Sequence, residues 1–267
     1  MSFAALGTKI FALMNRRCGF VYDTETGVLG VGAHAPLHMV CGSGTSVAVG
    51  GVLYALTYRY FDEQHPIDFE AMSWAPGAAV AGTMQQQPAE GWLWKSLLPP
   101  PFRRGVQSYA LHPDGCTIFT TTRINVVHAP VCGNPLGTYS FNTKESAWRW
   151  HGEWVLPFLG RAHFDAELDA WTTKEKLFRK DQERHMTASL TYMGTSKFCL
   201  VECVSSRKLH DERPPDQGDD HGYELSVTML GLKYNHKGEL QTTHHQLRHS
   251  FSVSRHRYSF APFAFWM

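Results

Sequence analysis

The sequence carries almost none of the punctuation that marks an active site. GxSxG, HExxH and GxxxxGK(S/T) are all absent. That excludes the elbow serine nucleophile, the helical zinc-protease pair and the phosphate-cradling loop in their usual forms. The six cysteines (Cys18, Cys41, Cys116, Cys132, Cys199, Cys203) form no CxxC pair. Zinc sites favour closely spaced thiolates, and no secretory signal accompanies a disulfide framework, so buried reduced thiols are expected. An excess of one charge is missing too: 25 basic against 24 acidic residues leave a net charge of +1. Such a balance gives no general footprint for nucleic acid or an anionic membrane. No apolar run reaches the roughly 18 residues that suggest a transmembrane helix.

What the chain does have is apolar content: 43% hydrophobic and 13% aromatic residues over 267 positions. That suffices for one large all-β domain or two ordinary ones. Five segments share a strand–turn–strand form: "SFAALGTKIFAL" (2–13), "SVAVGGVLYAL" (46–56), "SYALHPDGCTIFTTT" (108–122), "AHFDAELDAW" (162–171) and "SLTYMGTSKFCLVE" (189–202). Their centres hold Gly7-Thr8, Gly50-Gly51, Pro113-Asp114-Gly115, Ala166-Glu167 and Gly194-Thr195. Glycine reaches positive φ without steric cost and Pro-Asp-Gly initiates turns, so only Ala166-Glu167 is a weak reversal.

A second class of hairpin lies between them: "GFVYDTETGVLGV" (19–31), "GTYSFNTKESAWRW" (137–150) and "GLKYNHKGELQTT" (231–243). In each an aromatic precedes Asp or Asn, as Tyr22-Asp23, Phe141-Asn142 and Tyr234-Asn235. The side-chain oxygen can take up backbone N–H groups two residues on, and the aromatic is expected to pack between sheets. "YRYFDEQHPIDFEAMSW" (58–74), with Phe61-Asp62 and Trp74, reads as a looser fourth copy.

Alternating the two classes gives four-stranded units. The first class starts at residues 2, 46, 108, 162 and 189, and several gaps fall near a kelch-like period of about 50 residues. The expected fold is an all-β, kelch-like β-propeller, incomplete at about 4–6 blades, in preference to a β-sandwich. It occupies residues 1–267 as a single domain with flexible insertions near 75–105, 172–186 and 205–222. Residues 75–91 read as a surface loop leading into "WLWKSLLPPPFRRG" (92–105), where Pro99-Pro100-Pro101 must be extended.

The same stretches carry a family likeness. "GTYSFNTKESAWRWHGEWVLPFLGRAHFDAELDAW", "GFVYDTETGVL", "SLTYMGTSKFCLVE", "LKYNHKGEL", "GWLWKSLLPPPF" and the terminal "AFWM" resemble a large, cereal-expanded plant family of kelch-like propeller proteins. That family is known only as a domain of unknown function. The resemblance spans about residues 2–267 and implies the propeller fold, but supplies no activity. Members usually carry a longer N-terminal part with earlier strands. After Asp169-Ala170-Trp171 the family pattern continues apolar, where this chain has "TTKEKLFRKDQERH". Both departures imply an open ring with exposed strand edges, which invite self-association.

The remaining candidates for chemistry are thin. Among fifteen histidines the densest group is His244, His245, His249 and His256; strand-like alternation over Ser250–Ser254 separates i,i+4 partners by over about 10 Å. Cys199 and Cys203 are four apart in a strand, and "DQGDDHG" (216–222) lacks calcium-loop spacing. "CGSGTS" (41–46) reads as a turn before a strand, and Glu167 and Asp169 as neighbours on one strand face. Arg248, His249, Arg255, His256, Arg257 and Tyr258 mix cations with an aromatic, yet a closing strand explains them without nucleic acid. No catalytic, cofactor-binding or metal-ligating residue is assigned, and no cofactor.

The expected function is a non-enzymatic protein–protein interaction module in cytoplasm or nucleus. Trp148, Trp150, Trp154 and Trp171 are expected mostly in the core, and the loops at 75–105 and 205–222 form its first candidate face. The alternative is a mitochondrion-directed, truncated propeller that interferes with a partner. Its motive is a basic N-terminus (Lys9, Arg16, Arg17) with no acid before Asp23; a strand pair hinged at Gly7-Thr8 is the competing reading of residues 1–20.

Overall fold

The computed structural model describes residues 2–13, 19–32, 36, 42–59, 67–78, 89–103, 105–122, 137–173, 185–205, 223–253 and 264–266. Within them the fold is all-β, a β-propeller whose strands group into four sheets, with no helix among the described residues. The chain divides into two compact units, residues 1–161 and 162–266.

In the first unit three antiparallel meanders follow one another. β1 (Ser2–Leu6), β2 (Lys9–Leu13), β3 (Gly19–Asp23) and β4 (Leu29–Val31) pair in sequence order. So do β5 (Gly42–Val49), β6 (Val52–Arg59), β7 (Asp68–Ala78) and β8 (Ala89–Ser96), and then β9 (Val106–Leu111), β10 (Thr117–Thr122), β11 (Thr138–Asn142) and β12 (Ala147–Gly152). In the second unit, β13 (Gly160–Asp165) and β14 (Ala170–Thr173) form a hairpin. β15 (His185–Gly194), β16 (Lys197–Ser205), β17 (Tyr223–Tyr234) and β18 (Leu240–Val253) form a meander.

The second meander explains why "VLYALTY" is apolar almost throughout. Side chains alternate across a strand, and both faces of β6 meet another sheet. Leu53 and its cross-strand partner Met72 pack with Ala4, Leu6 and Phe11 of the first meander. Leu56 and its partner Phe69 pack with Tyr139 and Phe141 of the third. In the second unit Leu168, Phe198, Leu200, Leu230 and Leu232 make a separate core.

Five turns share one device. The Oδ1 of Asp23 accepts from Glu25 N (3.0 Å) and that of Asn142 from Lys144 N and Glu145 N (2.9 and 3.0 Å). Asn235 accepts from Lys237 N and Glu239 N (2.8 and 2.9 Å). Asp114 accepts from Cys116 N and Thr117 N, both at 2.8 Å, and Asp165 from Glu167 N and Leu168 N (2.9 and 3.1 Å). Each acceptor replaces water for amides that the reversal removes from the strand ladder. The turns of "AHFDAELDAW" and "SYALHPDGCTIFTTT" therefore use the device expected only of the second hairpin class.

Several expectations change. Of the aromatics before Asx, Phe141 is buried in the cluster it shares with Leu56 and Phe69 of the second meander, whereas Tyr22 and Tyr234 are 41% and 47% exposed. Trp148 and Trp171 are half-buried, whereas Trp150 and Trp154 are 50% and 49% exposed. The β15–β16 reversal is centred on Thr195-Ser196, one residue beyond Gly194-Thr195, with φ of 51° and 54°. Gly42, Ser43 and Gly44 belong to β5 rather than to a turn; a Cβ on Gly44 would meet Leu56 O at 2.7 Å. The stretch expected as a loop over 75–91 is strand at both ends, to Ala78 and from Ala89, and Trp92–Ser96 continues in β8. Residues 1–20 contain the β1–β2 hairpin turned at Gly7-Thr8. Phe61-Asp62 and most of the 172–186 and 205–222 insertions lie outside the described residues.

Two outcomes follow from the turns. Thr195 is β-branched at positive φ, a conformation that asparagine tolerates better. Thr195→Asn should stabilise the protein by about 1 kcal/mol, read as a higher urea midpoint. At Asp114, partial burial raises the carboxyl pKa, but donation from the Thr117 hydroxyl and the Cys116 and Thr117 amides overrides it and holds the group well below the usual range. Its stabilisation is therefore complete above the unfolded pKa of about 4 and is lost as pH falls further. The deficit of Asp114→Asn against the natural protein should be largest at neutral pH and shrink steadily below pH ~4 in parallel melts.

Candidate functional site

A cavity of about 970 Å³ opens in the second unit, where the β13–β14 turn, the β15–β16 turn and the end of β17 converge. Glu167, Met193, Ser196, Lys197, Tyr234 and Trp266 are among its lining residues. Behind it Asp165 is fully buried. Its Oδ1 accepts from Ser196 Oγ at 3.2 Å, and the same hydroxyl lies 3.1 Å from Glu167 Oε2. One hydroxyl proton serves two carboxylates, so Ser196 ties one turn to the other. The Tyr192 phenol beside them is pushed up, first by burial and then by the charges of Asp165 and Glu167, and so stays protonated. Glu167 and Asp169 stand in the turn and not on a strand; Asp169 has φ 45°. With Glu167, Lys197 and Lys233 all exposed at the rim, the cavity offers both signs of charge without a dominant one.

A serine–histidine contact was not foreseen from sequence: Ser140 Oγ and His151 Nε2 are 2.8 Å apart across β11 and β12. Burial, then the Arg149 charge, lowers the His151 pKa, which favours the neutral ring. The geometry resembles a nucleophile and its base. However, Ser140 is buried, the ring stacks near Phe119 at 5.1 Å, and no carboxylate orients His151 among the described residues. The pair does not line the cavity of the second unit.

The third surface belongs to the first unit. Residues 153–159, after β12, lie as a strap over β9–β11, held by three buried hydroxyls. Thr138 Oγ1 donates to Trp154 O (2.8 Å), Leu156 N donates to Thr121 Oγ1 (3.2 Å), and Ser108 Oγ donates to Phe158 O. The backbone is thereby fixed while Trp154, Val155 and Leu159 stand about half exposed, with Trp150 on β12. Both indoles border the close approach of Gly137 to Gly152 O. A Cβ on Gly137 would lie 2.9 Å from Trp150 Nε1, and one on Gly152 would lie 3.3 Å from Trp154 Cδ1. Gly137 has no room for a side chain there.

The residues flagged in the sequence do not assemble. His244, His245 and His249 lie on β18, as strand spacing required. His256, Arg255, Arg257, Tyr258 and the 216–221 acidic loop lie outside the described residues. No group of three or more metal-ligating side chains occurs among the described residues. Cys116, Cys199 and Cys203 are free, and burial raises the Cys199 and Cys203 thiols, which keeps them unreactive.

A family model described as "Protein of unknown function (DUF1668)" matches residues 1–173 and 172–251. No curated protein matches. Among solved structures, a fungal alcohol oxidase of the AA5 family in complex with copper is 13% identical, with 93% of this chain and 62% of that one covered and a TM-score of 0.39. The N-terminal domain of Nup159 is 11% identical, with 91% and 47% covered and a TM-score of 0.29. The chain thus spans less than two thirds of either solved chain.

Ser196→Ala removes the link between the two turns and leaves a buried Asp165 oxygen with one donor fewer. The expected cost is about 1–2 kcal/mol, measured as a fall in the urea midpoint. An unchanged midpoint would show that the two turns hold their positions without the hydroxyl.

Proposed function

The chain belongs to the DUF1668 family of proteins of unknown function, and from that premise we propose that it works as a non-enzymatic protein–protein interaction module on a kelch-like propeller. The observation that carries this reading is the apolar surface of Trp150, Trp154, Val155 and Leu159. Large aromatics are costly to leave in water, and tryptophan is enriched at the energetic centres of interfaces. This surface is also stiff. The hydroxyls of Ser108, Thr121 and Thr138 fix the strap backbone, so a partner meets groups already in position. Binding then loses less to ordering than it would on a free loop. The cavity of the second unit is a weaker anchor, since charges of both signs rim its apolar lining of Leu168, Met193 and Phe198.

The test compares the natural protein with a Trp150→Ala, Trp154→Ala double variant in quantitative affinity capture from its source tissue. Both side chains are half exposed, so the double variant should melt close to the natural protein while losing its reproducible partners. Retention of the same partners by the folded variant would reject this surface.

A further inference from the structure

We infer that the exposed end of the β11–β12 aromatic ladder binds a proline-rich, extended segment of a partner protein. The inference rests on the interaction-module reading and specifies the chemistry of its partner.

The ladder is set by register. The cross-strand pairs Phe141↔Trp148 and Tyr139↔Trp150 place four aromatic side chains on one face of β11 and β12. Its inner rung already holds a segment of the chain itself, "LLPPPF" at residues 97–102, through Leu97, Leu98 and Phe102 on either side of the prolines. Trp148 Nε1 donates to Leu98 O at 3.1 Å. Phe102 packs edge-on against Trp148 with centroids 5.5 Å apart, and against Tyr139 at 4.9 Å. Leu97 and Phe102 enter the same core cluster. Three successive prolines impose an extended backbone that lacks N–H donors and leaves its carbonyls for other groups to satisfy. The Trp148 indole N–H supplies a donor to the carbonyl just before the first proline, and Phe102 just after the last one seats against the same indole.

The outer rung is covered on one side only, with Tyr139 buried under Phe102 and Trp150 open to solvent. Trp150 is 50% exposed and Trp154 49%. The Trp154 N–H is spent on His151 O at 3.0 Å, whereas no acceptor is paired with the Trp150 N–H among the described residues. Trp150 Nε1 lies against Gly137, and the Trp154 ring lies against Gly152, whose carbonyl closely approaches Gly137. A polyproline helix is preformed, so it loses little entropy on docking, and its exposed carbonyls match a single fixed donor between apolar faces. β12 is also the end strand of its sheet, so a strand-forming peptide would pair with its backbone; the outer rung is a different surface, made of side chains.

The experiment titrates the full chain with decaproline, which has no chromophore of its own, and follows intrinsic tryptophan emission. A glycine–serine peptide of equal length serves as the flexible control. The inference expects a saturable shift with decaproline alone. Trp150→Ala should weaken binding by roughly tenfold or more, as loss of an aromatic anchor does. Trp150→Phe, which keeps a ring and removes the donor, should give an intermediate loss, and it still reads if the alanine variant fails to fold. Tyr234→Ala, in the second unit, should bind as the natural protein does. A response absent with decaproline, equal with the control peptide, or undiminished in folded Trp150→Ala overturns the inference. So does self-association through Trp150 without added peptide, seen by sedimentation, which would make a second copy the occupant. If decaproline fails while the double variant still loses its captured partners, the proline chemistry is wrong and the interaction surface stands.

Discussion

A side-chain oxygen at the end of a strand, or in the turn just after it, is the constraint on which the rest of the structure depends. Asp23, Asp114, Asn142, Asp165 and Asn235 each place that oxygen against turn amides. Each such cap is worth about 1 kcal/mol, small beside the 3–5 kcal/mol that truncating a buried aromatic costs. The caps govern something other than total stability. They fix where a strand reverses, and a one-residue slip of register turns every side chain to the opposite face. With Asn142 capping its turn, Phe141 meets Trp148 and Tyr139 meets Trp150. Slipped by one, the same strands would put Phe141 and Tyr139 on the wrong side of their sheet.

Packing then does what the turns make possible. Phe69 meets Phe141 edge-on at 4.7 Å and Trp148 at 5.2 Å, so aromatics of the second meander interlock with those of the third. Close approach is bought with glycine: a Cβ on Gly231 would lie 2.7 Å from Thr243 Oγ1, and Gly44 and Gly137 face backbone just as closely. Hydroxyls settle the polar remainder. Ser108, Thr121 and Thr138 are fully buried and spend their hydrogen bonds on the strap at 153–159.

The parts of this fold legible in the sequence were those governed by local chemistry. Asn142, Asn235 and Gly50-Gly51 act within four residues of themselves, and a hairpin can be read from them directly. The Thr195-Ser196 reversal was misplaced by one residue, because positive φ at a threonine is unfavourable and only the link from Ser196 to Asp165 and Glu167 explains that register. The aromatics before Asx looked equivalent, yet Phe141 packs against Leu56 and Phe69 of another sheet while Tyr22 and Tyr234 stand exposed. No local pattern contains that information. The Ser140–His151 contact and the strap were hidden for the same reason, since each joins positions on different strands or loops. Gly42–Gly44 misled in the opposite sense. Gly44 answers to Leu56 and Thr57 on the neighbouring strand, not to a turn.

Stability and recognition share one set of side chains here, and that limits how the surface can vary. Trp148 closes a core cluster and captures the carbonyl of Leu98; Trp150, two residues on, shows the same chemistry to solvent. Because strand residues two apart share a face, whatever holds Trp148 in the core also aims Trp150 outward from its rim. A site on a free loop could drift in geometry without harm to the fold. This one cannot, since moving Trp150 relative to Gly137 means moving β12 relative to β11, and with it the Phe141–Trp148 contact at 5.1 Å. The surface is therefore as rigid as the core behind it, which favours a partner that is itself stiff and extended before it binds.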